Sequence, residues 1–231
     1  QRQPPPLPTE VSLTGTQTQR SKRTYVMEQN KKKTLLVILL IVALVTIDQL
    51  VKICVKTHMT LDEEIRVFGH WFYIHFIENR GAAYGMELGG SYGKLLLSLF
   101  RIAAVGVIGW YIHRLIKRGA PTGVIVGISI ILAGALGNIL DSAFYGLFFS
   151  ESTFTQVARF VPWGTGYAPF LHGIVVDMLY FPLIEIDRLP DWIPFVGGEP
   201  YTFFSPTFNI ADSYVTGGLL YLIIFKLKFF K

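Results

Sequence analysis

Four carboxylates in unusual surroundings are the first candidates for chemistry in this sequence. They lie within or beside long apolar segments, at Asp48, Asp141, Asp177 and Asp212. A charged side chain near hydrocarbon is costly unless it is paired or hydrated, so each of these residues needs an explanation. Two carboxylates that share a low-dielectric site do not both ionise, because one keeps its proton while the other acts as a base. Such a pair can activate water for amide hydrolysis, which is the chemistry of aspartic proteases.

Two of the four aspartates have a structural interpretation that fits the sequence at least as well. Asp48 and Lys52 are four residues apart, which is the spacing of an ion pair on one helical face. Asp141 shares a face with Asn138 and follows a run of small residues that permits close helix packing. A buried polar clamp and a catalytic role are therefore equally good interpretations of Asp141.

The other two aspartates differ in how strongly they indicate function. Asp212 follows Asn209 by three residues near a predicted helix start, where a carboxylate stabilises the helix dipole. Asp177 has no cation at helical spacing and lies in the apolar run 174–179, so the functional interpretation is strongest there.

Other catalytic sets are incomplete. The five histidines form no His-Glu-x-x-His motif, and no Gly-x-Ser-x-Gly elbow occurs. Cys54 and His58 lack a third group that would orient them, and Cys54 is the single cysteine, which excludes an intrachain disulfide or a Cys-rich zinc site. We expect no metal or other cofactor, and chelators should have no effect.

The elements that must position these residues are predicted to be membrane helices. The chain is 51% hydrophobic and 16% charged, against about 25% charged in soluble domains. Residues 34–55, 95–116, 122–140 and 208–225 are each long enough to cross a hydrocarbon core of about 30 Å. Residues 65–76 are rich in β-branched and aromatic types and predict a strand or hairpin.

The distribution of positive charge predicts the orientation of these helices. Thirteen of the 21 Lys and Arg residues lie in residues 1–33, 114–118 and 226–231, which contain two acids. Basic residues beside short loops mark the cytoplasmic side, so we expect both termini in the cytoplasm and the aspartates near the outer face. The net charge of +5 is therefore a topology signal, and we expect no nucleic-acid partner. Residues 1–26 lack an apolar period and predict a disordered tail or expression leader before a membrane domain at 27–231.

Five sequence blocks carry a family resemblance. They are Asp-Gln-x-x-Lys at 48–52, Glu-Asn-Arg-Gly-Ala-Ala-Tyr-Gly at 78–85, Gly-Ala-Leu-Gly-Asn-Ile-Leu-Asp at 134–141, Val-Val-Asp at 175–177 and Phe-Asn-Ile-Ala-Asp-Ser at 208–213. In order and in placement on four spans they resemble the successive motifs of the lipoprotein signal peptidase (signal peptidase II) family. The resemblance covers residues 33–225.

This resemblance implies a fold, an activity and a set of partners. The fold is an all-α membrane protein with four transmembrane helices, a small extracytoplasmic β-cradle and, in this chain, enlarged outer loops. The activity is that of an aspartic endopeptidase that cleaves the signal peptide from diacylglyceryl-modified prolipoproteins at the outer face of the cytoplasmic membrane. Its partners are these substrates and membrane lipids, and we expect a monomer.

The resemblance also implies the site residues. The catalytic pair falls on Asp177 and Asp212, and the sequence leaves open which of them acts first as the base. Substrate-binding or supporting positions fall on Asp48, Lys52, Asn79, Arg80, Gly81, Asn138, Asp141 and Asn209. The small residues 81–83 suit a close approach of backbone to a substrate peptide.

Two features depart from the family pattern. Ser142 stands where family members usually have Arg, so any role of that Arg for Asp141 is supplied otherwise or absent. The stretches 142–176 and 183–206 are enlarged, and we expect residues 148–170 and 192–201 to form a lid or substrate guide.

A proton-coupled transporter and a scaffold with structural aspartates are the rival classes of function. A transporter would need polar groups through the whole bilayer, whereas residues 37–44 and 217–225 are almost wholly apolar.

Overall fold

Four long helices dominate the computed structural model, which describes residues 11–81, 90–194 and 196–230. They are α1 (Val11–His58), α2 (Gly90–Lys117), α3 (Thr122–Leu140) and α5 (Ile210–Phe230). Each contains a stretch long and apolar enough to cross a membrane, which confirms the predicted four spans. The helix α3 continues into a π-helical turn at Asp141–Tyr145 and the short α4 (Gly146–Phe148).

Helix α1 begins well before its predicted apolar stretch. Residues 11–26 are helical instead of irregular, and residues 17–28 are exposed to solvent. The reason is that extension of an existing helix avoids the cost of a new nucleus, and the Gln, Arg and Lys residues at 17–23 are good helix formers. That residues 1–26 are a leader separate from the membrane domain at 27–231 stays a prediction.

Helix α3 is the central helix and contacts each of the other three. Its residues Val124 and Ile125 are buried in a core that also contains Val37 of α1, Ile112 of α2 and Leu222 of α5. Large apolar side chains on the outward faces of α1, α2 and α5 are exposed, as expected for helices that meet lipid.

The β-strands form two small sheets. A three-stranded antiparallel sheet has the order β1-β2-β3, and β4 and β5 form a separate hairpin. The strands are β1 (Glu64–Phe68), β2 (Phe72–Asn79), β3 (Val175–Tyr180), β4 (Ile184–Ile186) and β5 (Tyr201–Phe203). The hairpin of β1 and β2 confirms the strand prediction for residues 65–76.

The enlarged stretch between α4 and β3 packs against the larger sheet. Phe149 and Ala158 are buried in one cluster with Val176 and Met178 of β3. Since side chains alternate along a strand, Asp177 points to the opposite face. The buried part of this stretch therefore supports the sheet from behind and does not form the expected lid or substrate guide, which stays a prediction for the exposed residues of 148–170. A lid formed by residues 192–201 stays a prediction.

Candidate active site

Backbone pairing brings the start of α5 beside the centre of β3. The N–H groups of Met178 and Leu179 donate to the Phe208 carbonyl at 3.1 and 2.7 Å, and the Phe208 N–H donates to the Leu179 carbonyl at 3.1 Å. The residues before α5 thus extend the sheet beside Asp177. Asp212, in the first turn of α5, is thereby close enough for its charge to act on Asp177.

Asn209 connects the two aspartates. Its Nδ2 donates to Asp177 Oδ1 at 2.6 Å, and its Oδ1 accepts the Asp212 N–H at 2.9 Å. Asp212 Oδ2 accepts the Asn209 N–H at 3.3 Å, which completes a reciprocal capping arrangement at the start of α5. The helix-start interpretation of Asp212 therefore holds together with its approach to Asp177.

Two further amides hold the remaining carboxylate oxygens. Asn79, at the end of β2, donates to Asp177 Oδ2 at 3.0 Å, and Asn138 of α3 donates to Asp212 Oδ1 at 2.8 Å. An amide N–H orients a carboxylate without adding a positive charge. Both aspartates are thus fixed in place by neutral donors from three parts of the chain: β2, α3 and the residue before α5.

The environment of Asp177 favours its protonated form. Asp177 is 2% exposed, and this burial raises its pKa to about 7, with a further increase from the charge of Asp212. The hydrogen bonds from Asn79 and Asn209 act in the opposite direction. A carboxyl group that titrates near neutral pH beside a second carboxylate is suited to general acid–base chemistry.

The other two aspartates form a separate, fully buried ionic cluster around Lys52. The Lys52 Nζ lies 3.0 Å from Asp48 Oδ2 and 2.8 Å from Asp141 Oδ2, and it donates to Asn138 Oδ1 at 2.8 Å. These three contacts use all three donors of the ammonium group. The predicted ion pair between Asp48 and Lys52 is present, and Asp141 and Asn138 share this cluster.

The ionic cluster is bonded to the elements that carry the other pair. Asp48 Oδ1 accepts the N–H of Ala211, the residue before Asp212, at 2.9 Å. Asp141 Oδ2 accepts the N–H of Val176, the residue before Asp177, at 3.4 Å. The ionic cluster of Asp48, Lys52 and Asp141 therefore anchors the backbone segments that carry Asp177 and Asp212.

Close helix packing makes room for this cluster. A Cβ on Gly137 would lie 2.5 Å from Asp48 Oδ2, and a Cβ on Gly134 would lie 2.3 Å from the Ala211 carbonyl oxygen. Both distances are below 3.0 Å, so a larger residue would force neighbouring atoms to shift, which favours small residues on this face of α3.

Gln49 and Lys56 also form polar contacts in this region, although the sequence did not single them out as site residues. Gln49 donates to Asp141 Oδ1 at 2.8 Å and accepts from the Tyr145 hydroxyl at 3.2 Å. Lys56 is fully buried, forms an ion pair with Glu78 and donates to Ser152 Oγ at 2.8 Å. The sequence signal for Lys56 was its position on α1, because Lys56 follows Lys52 by four residues just as Lys52 follows Asp48.

The remaining predicted positions lie at the end of β2. Gly81 has a φ of +82°, and its N–H donates to Asn79 Oδ1 at 2.8 Å. This turn orients the Asn79 amide towards Asp177. Arg80 is exposed beside it, and Ala82 and Ala83 lie outside the described residues. Within the described ranges, no three His, Cys, Asp or Glu side chains are placed to hold a metal ion.

Comparisons with known proteins agree with one another. A family model described as signal peptidase (SPase) II matches residues 40–228. The chain is 48% identical over 186 residues to the lipoprotein signal peptidase of Porphyromonas gingivalis, covering 80% of each chain. It is 36% identical over 185 residues to the lipoprotein signal peptidase of Amoebophilus asiaticus, covering 79% of this chain and 73% of that one. A bacterial membrane enzyme solved by the in meso method at 2.3 Å matches with a TM-score of 0.51 and 25% identity, over 83% of this chain and 87% of that chain.

Proposed function

Since this chain belongs to the signal peptidase II family, we propose that it is an aspartic endopeptidase that cleaves the signal peptide from diacylglyceryl-modified prolipoproteins. Family membership implies a peptidase that acts on prolipoproteins. With four membrane-capable helices, it also fits a multi-pass protein of the bacterial inner membrane. The aspartic mechanism, the lipid requirement and the roles of individual residues are the parts that we propose.

The observation that carries the proposed mechanism is the link through Asn209 between Asp177 and Asp212. In the proposed reaction the ionised carboxylate takes a proton from water as the water oxygen attacks the scissile carbonyl carbon. The protonated carboxyl group donates its proton so that the C–N bond breaks and the amine leaves. The raised pKa of Asp177 supports a pair that carries one proton near neutral pH.

The supporting residues have distinct proposed roles. Asn79, Asn138 and Asn209 hold the two carboxylates at fixed positions, as their hydrogen bonds suggest. Asp48, Lys52 and Asp141 maintain the backbone beneath the pair. Arg80 and Gly81, at the end of β2, are proposed to lie along the path of the substrate peptide.

We also propose that the pair faces the outer leaflet. Basic residues flank the opposite helix ends, at the start of α1, between α2 and α3 and at the end of α5, which by the positive-inside rule are cytoplasmic. A lipid-modified cysteine could then reach the pair sideways from the bilayer while its acyl chains remain in hydrocarbon.

A cleavage assay with purified protein in lipid tests the function. The substrate is a diacylglyceryl-modified prolipoprotein, compared with the same chain without lipid, and cleavage is followed as a mobility shift. We expect cleavage of the modified chain, no change with EDTA, and a much lower rate for the unmodified chain. Equal cleavage of both substrates would contradict lipid recognition, and cleavage of neither would contradict the function.

A further inference from the structure

Arg101 is a charged residue within the apolar span of α2. Its neighbours Leu99, Phe100 and Ile102 are exposed apolar side chains on a helix that is suited to lipid, whereas Arg101 is half-buried. An ionised group at such a position is rare because it is energetically costly, and it usually faces the interior of the bundle and serves a function.

The Arg101 side chain reaches the edge of the proposed site. Its Nη1 donates to Ser142 Oγ at 3.4 Å, next to Asp141. Its Nη2 lies 4.0 Å from the position that a Cβ on Gly81 would occupy. Arg101 therefore lies between the π-helical turn after α3 and the end of β2. From there its charge acts on the carboxylates of Asp141, Asp177 and Asp212.

The charges in the site leave a role for this guanidinium. Lys52 is bound to Asp48 and Asp141, so these three residues carry a net negative charge before the second pair is counted. The pair of Asp177 and Asp212, with one shared proton, adds a further negative charge. In the described part of the chain Arg101 has no carboxylate within ion-pair distance, and its interaction with the pair is therefore through space.

We propose that Arg101 is a positioning residue of the proposed peptidase, the counter-cation that sets the pH range in which the Asp177–Asp212 pair carries one proton. The inference rests on the proposed function and adds a residue to its site. Ser142 is compatible with this role, because its short side chain leaves space beside Asp141 that the guanidinium of Arg101 enters from α2.

Other ionisable groups around the pair are accounted for by their own partners. The charged groups that act on Asp177 or on Arg101 through their charge are Asp212 of α5, Lys52 of α1 and Asp141 of the π-helical turn. Asp48 is paired with Lys52. Lys56 and Glu78 form their own ion pair, and Glu78 lies on the sheet face opposite Asp177. Arg101 is thus the cation of this set whose removal changes the charge near the pair without breaking an ion pair among the described residues.

The test is the pH dependence of kcat and KM for cleavage of diacylglyceryl-modified prolipoprotein. A cation favours ionised carboxylates, so Arg101→Gln should move both limbs of the profile upward by about one pH unit. Activity relative to each variant's own maximum should fall at the acidic side and rise at the alkaline side, with little change in KM. Arg101→Lys should keep the wild-type profile. The double variant Arg101→Gln with Ser142→Arg should also keep the wild-type profile, because it returns a guanidinium to the same place.

The matched control is Arg114→Gln, which removes an exposed arginine at the other end of the same helix and should leave the profile unchanged. An unshifted Arg101→Gln profile, or a loss confined to KM, would overturn the inference and leave the proposed function intact. If Arg101→Gln does not fold, Arg101→Met serves in its place, and failure of both to fold would assign Arg101 a structural role and overturn the inference. Absence of cleavage by the wild type would contradict both proposals.

Discussion

The four aspartates form two groups that are held in different ways. Asp48 and Asp141 are fully buried and paired with the ammonium group of Lys52. Asp177 and Asp212 are held by the side-chain amides of asparagines, which orient a carboxylate but do not neutralise it. Partners of opposite charge suit a scaffold, whereas neutral donors leave a carboxylate able to exchange protons. We infer that the kind of partner separates structural from reactive carboxylates at the same end of the bundle.

The two groups are also directly connected. Asp48 accepts the N–H of Ala211, and Asp141 accepts the N–H of Val176. Asp48 and Asp141 therefore each fix the residue that precedes Asp212 or Asp177. We infer that the buried charges are retained because they fix this geometry, and the following changes test the division.

Removal of the central cation should have the largest effect on stability. Lys52→Met leaves two buried carboxylates without their counter-charge, and we expect the free energy of unfolding to fall by about 3–5 kcal/mol. Denaturant unfolding in detergent measures this. Lys32→Met is the control, because Lys32 forms an exposed ion pair with Glu28 on the same helix and should matter little. Equal stability of Lys52→Met and wild type would contradict the scaffold role.

A smaller change crowds the same cluster. In Gly137→Ala the new Cβ would lie 2.5 Å from Asp48 Oδ2, so the ionic cluster must shift. We expect a loss of about 1–3 kcal/mol in the free energy of unfolding. Gly217→Ala in α5 is the matched control, because no atom lies within 4 Å of its Cβ position. A loss in Gly217→Ala as large as in Gly137→Ala would show that crowding is not the cause.

If Asp177 and Asp212 react as proposed, the pair should give cleavage an alkaline limit. Burial raises the pKa of Asp177 to about 7, so the pair loses its single proton above that pH. We expect kcat/KM to fall by about tenfold per pH unit on the alkaline side, with a midpoint near 7. A rate that is constant from pH 6 to pH 9 would contradict proton donation by this pair.

The smallest expected effect lies behind the sheet. Ser152→Ala removes hydrogen bonds to Lys56 and Glu78, which should cost about 1 kcal/mol of stability. Because these residues lie on the sheet face opposite Asp177, the cleavage rate at a matched folded fraction should not change. A reduced rate would show that the stretch between α4 and β3 reaches the reactive pair.

Much of the fold could be predicted from local patterns. The apolar segments predicted four spans, and residues 122–140 coincide with α3 because Pro121 and the polar residues at 141 and 142 bound that segment. Residues 65–76 predicted the hairpin. The helical extension back to Val11 could not be predicted, because its residues have no apolar face and extend a helix that nucleates elsewhere.

The sequence predicted candidate members of the site but not how they are arranged. The spacing of Asp48 and Lys52 predicted their ion pair, since i and i+4 residues meet on a helix. The contacts of Asp141 with Val176 and of Arg101 with Ser142 join distant parts of the chain. The spacing of residues along one helix cannot predict such contacts. The position of the enlarged loop behind the sheet likewise depends on which strand face is apolar, which the run Val175–Tyr180 does not reveal.

We propose a division of the four aspartates into two that hold the fold and two that react. Its most direct test is one parallel measurement of cleavage rate and thermal unfolding for Asp48→Asn, Asp141→Asn, Asp177→Asn and Asp212→Asn. We predict that Asp177→Asn and Asp212→Asn lose roughly 10²–10⁴-fold or more in rate while remaining folded. Asp48→Asn and Asp141→Asn should instead unfold at lower temperature and retain cleavage in the fraction that stays folded. Substantial cleavage by folded Asp177→Asn, or complete inactivity of folded Asp141→Asn, would contradict the division.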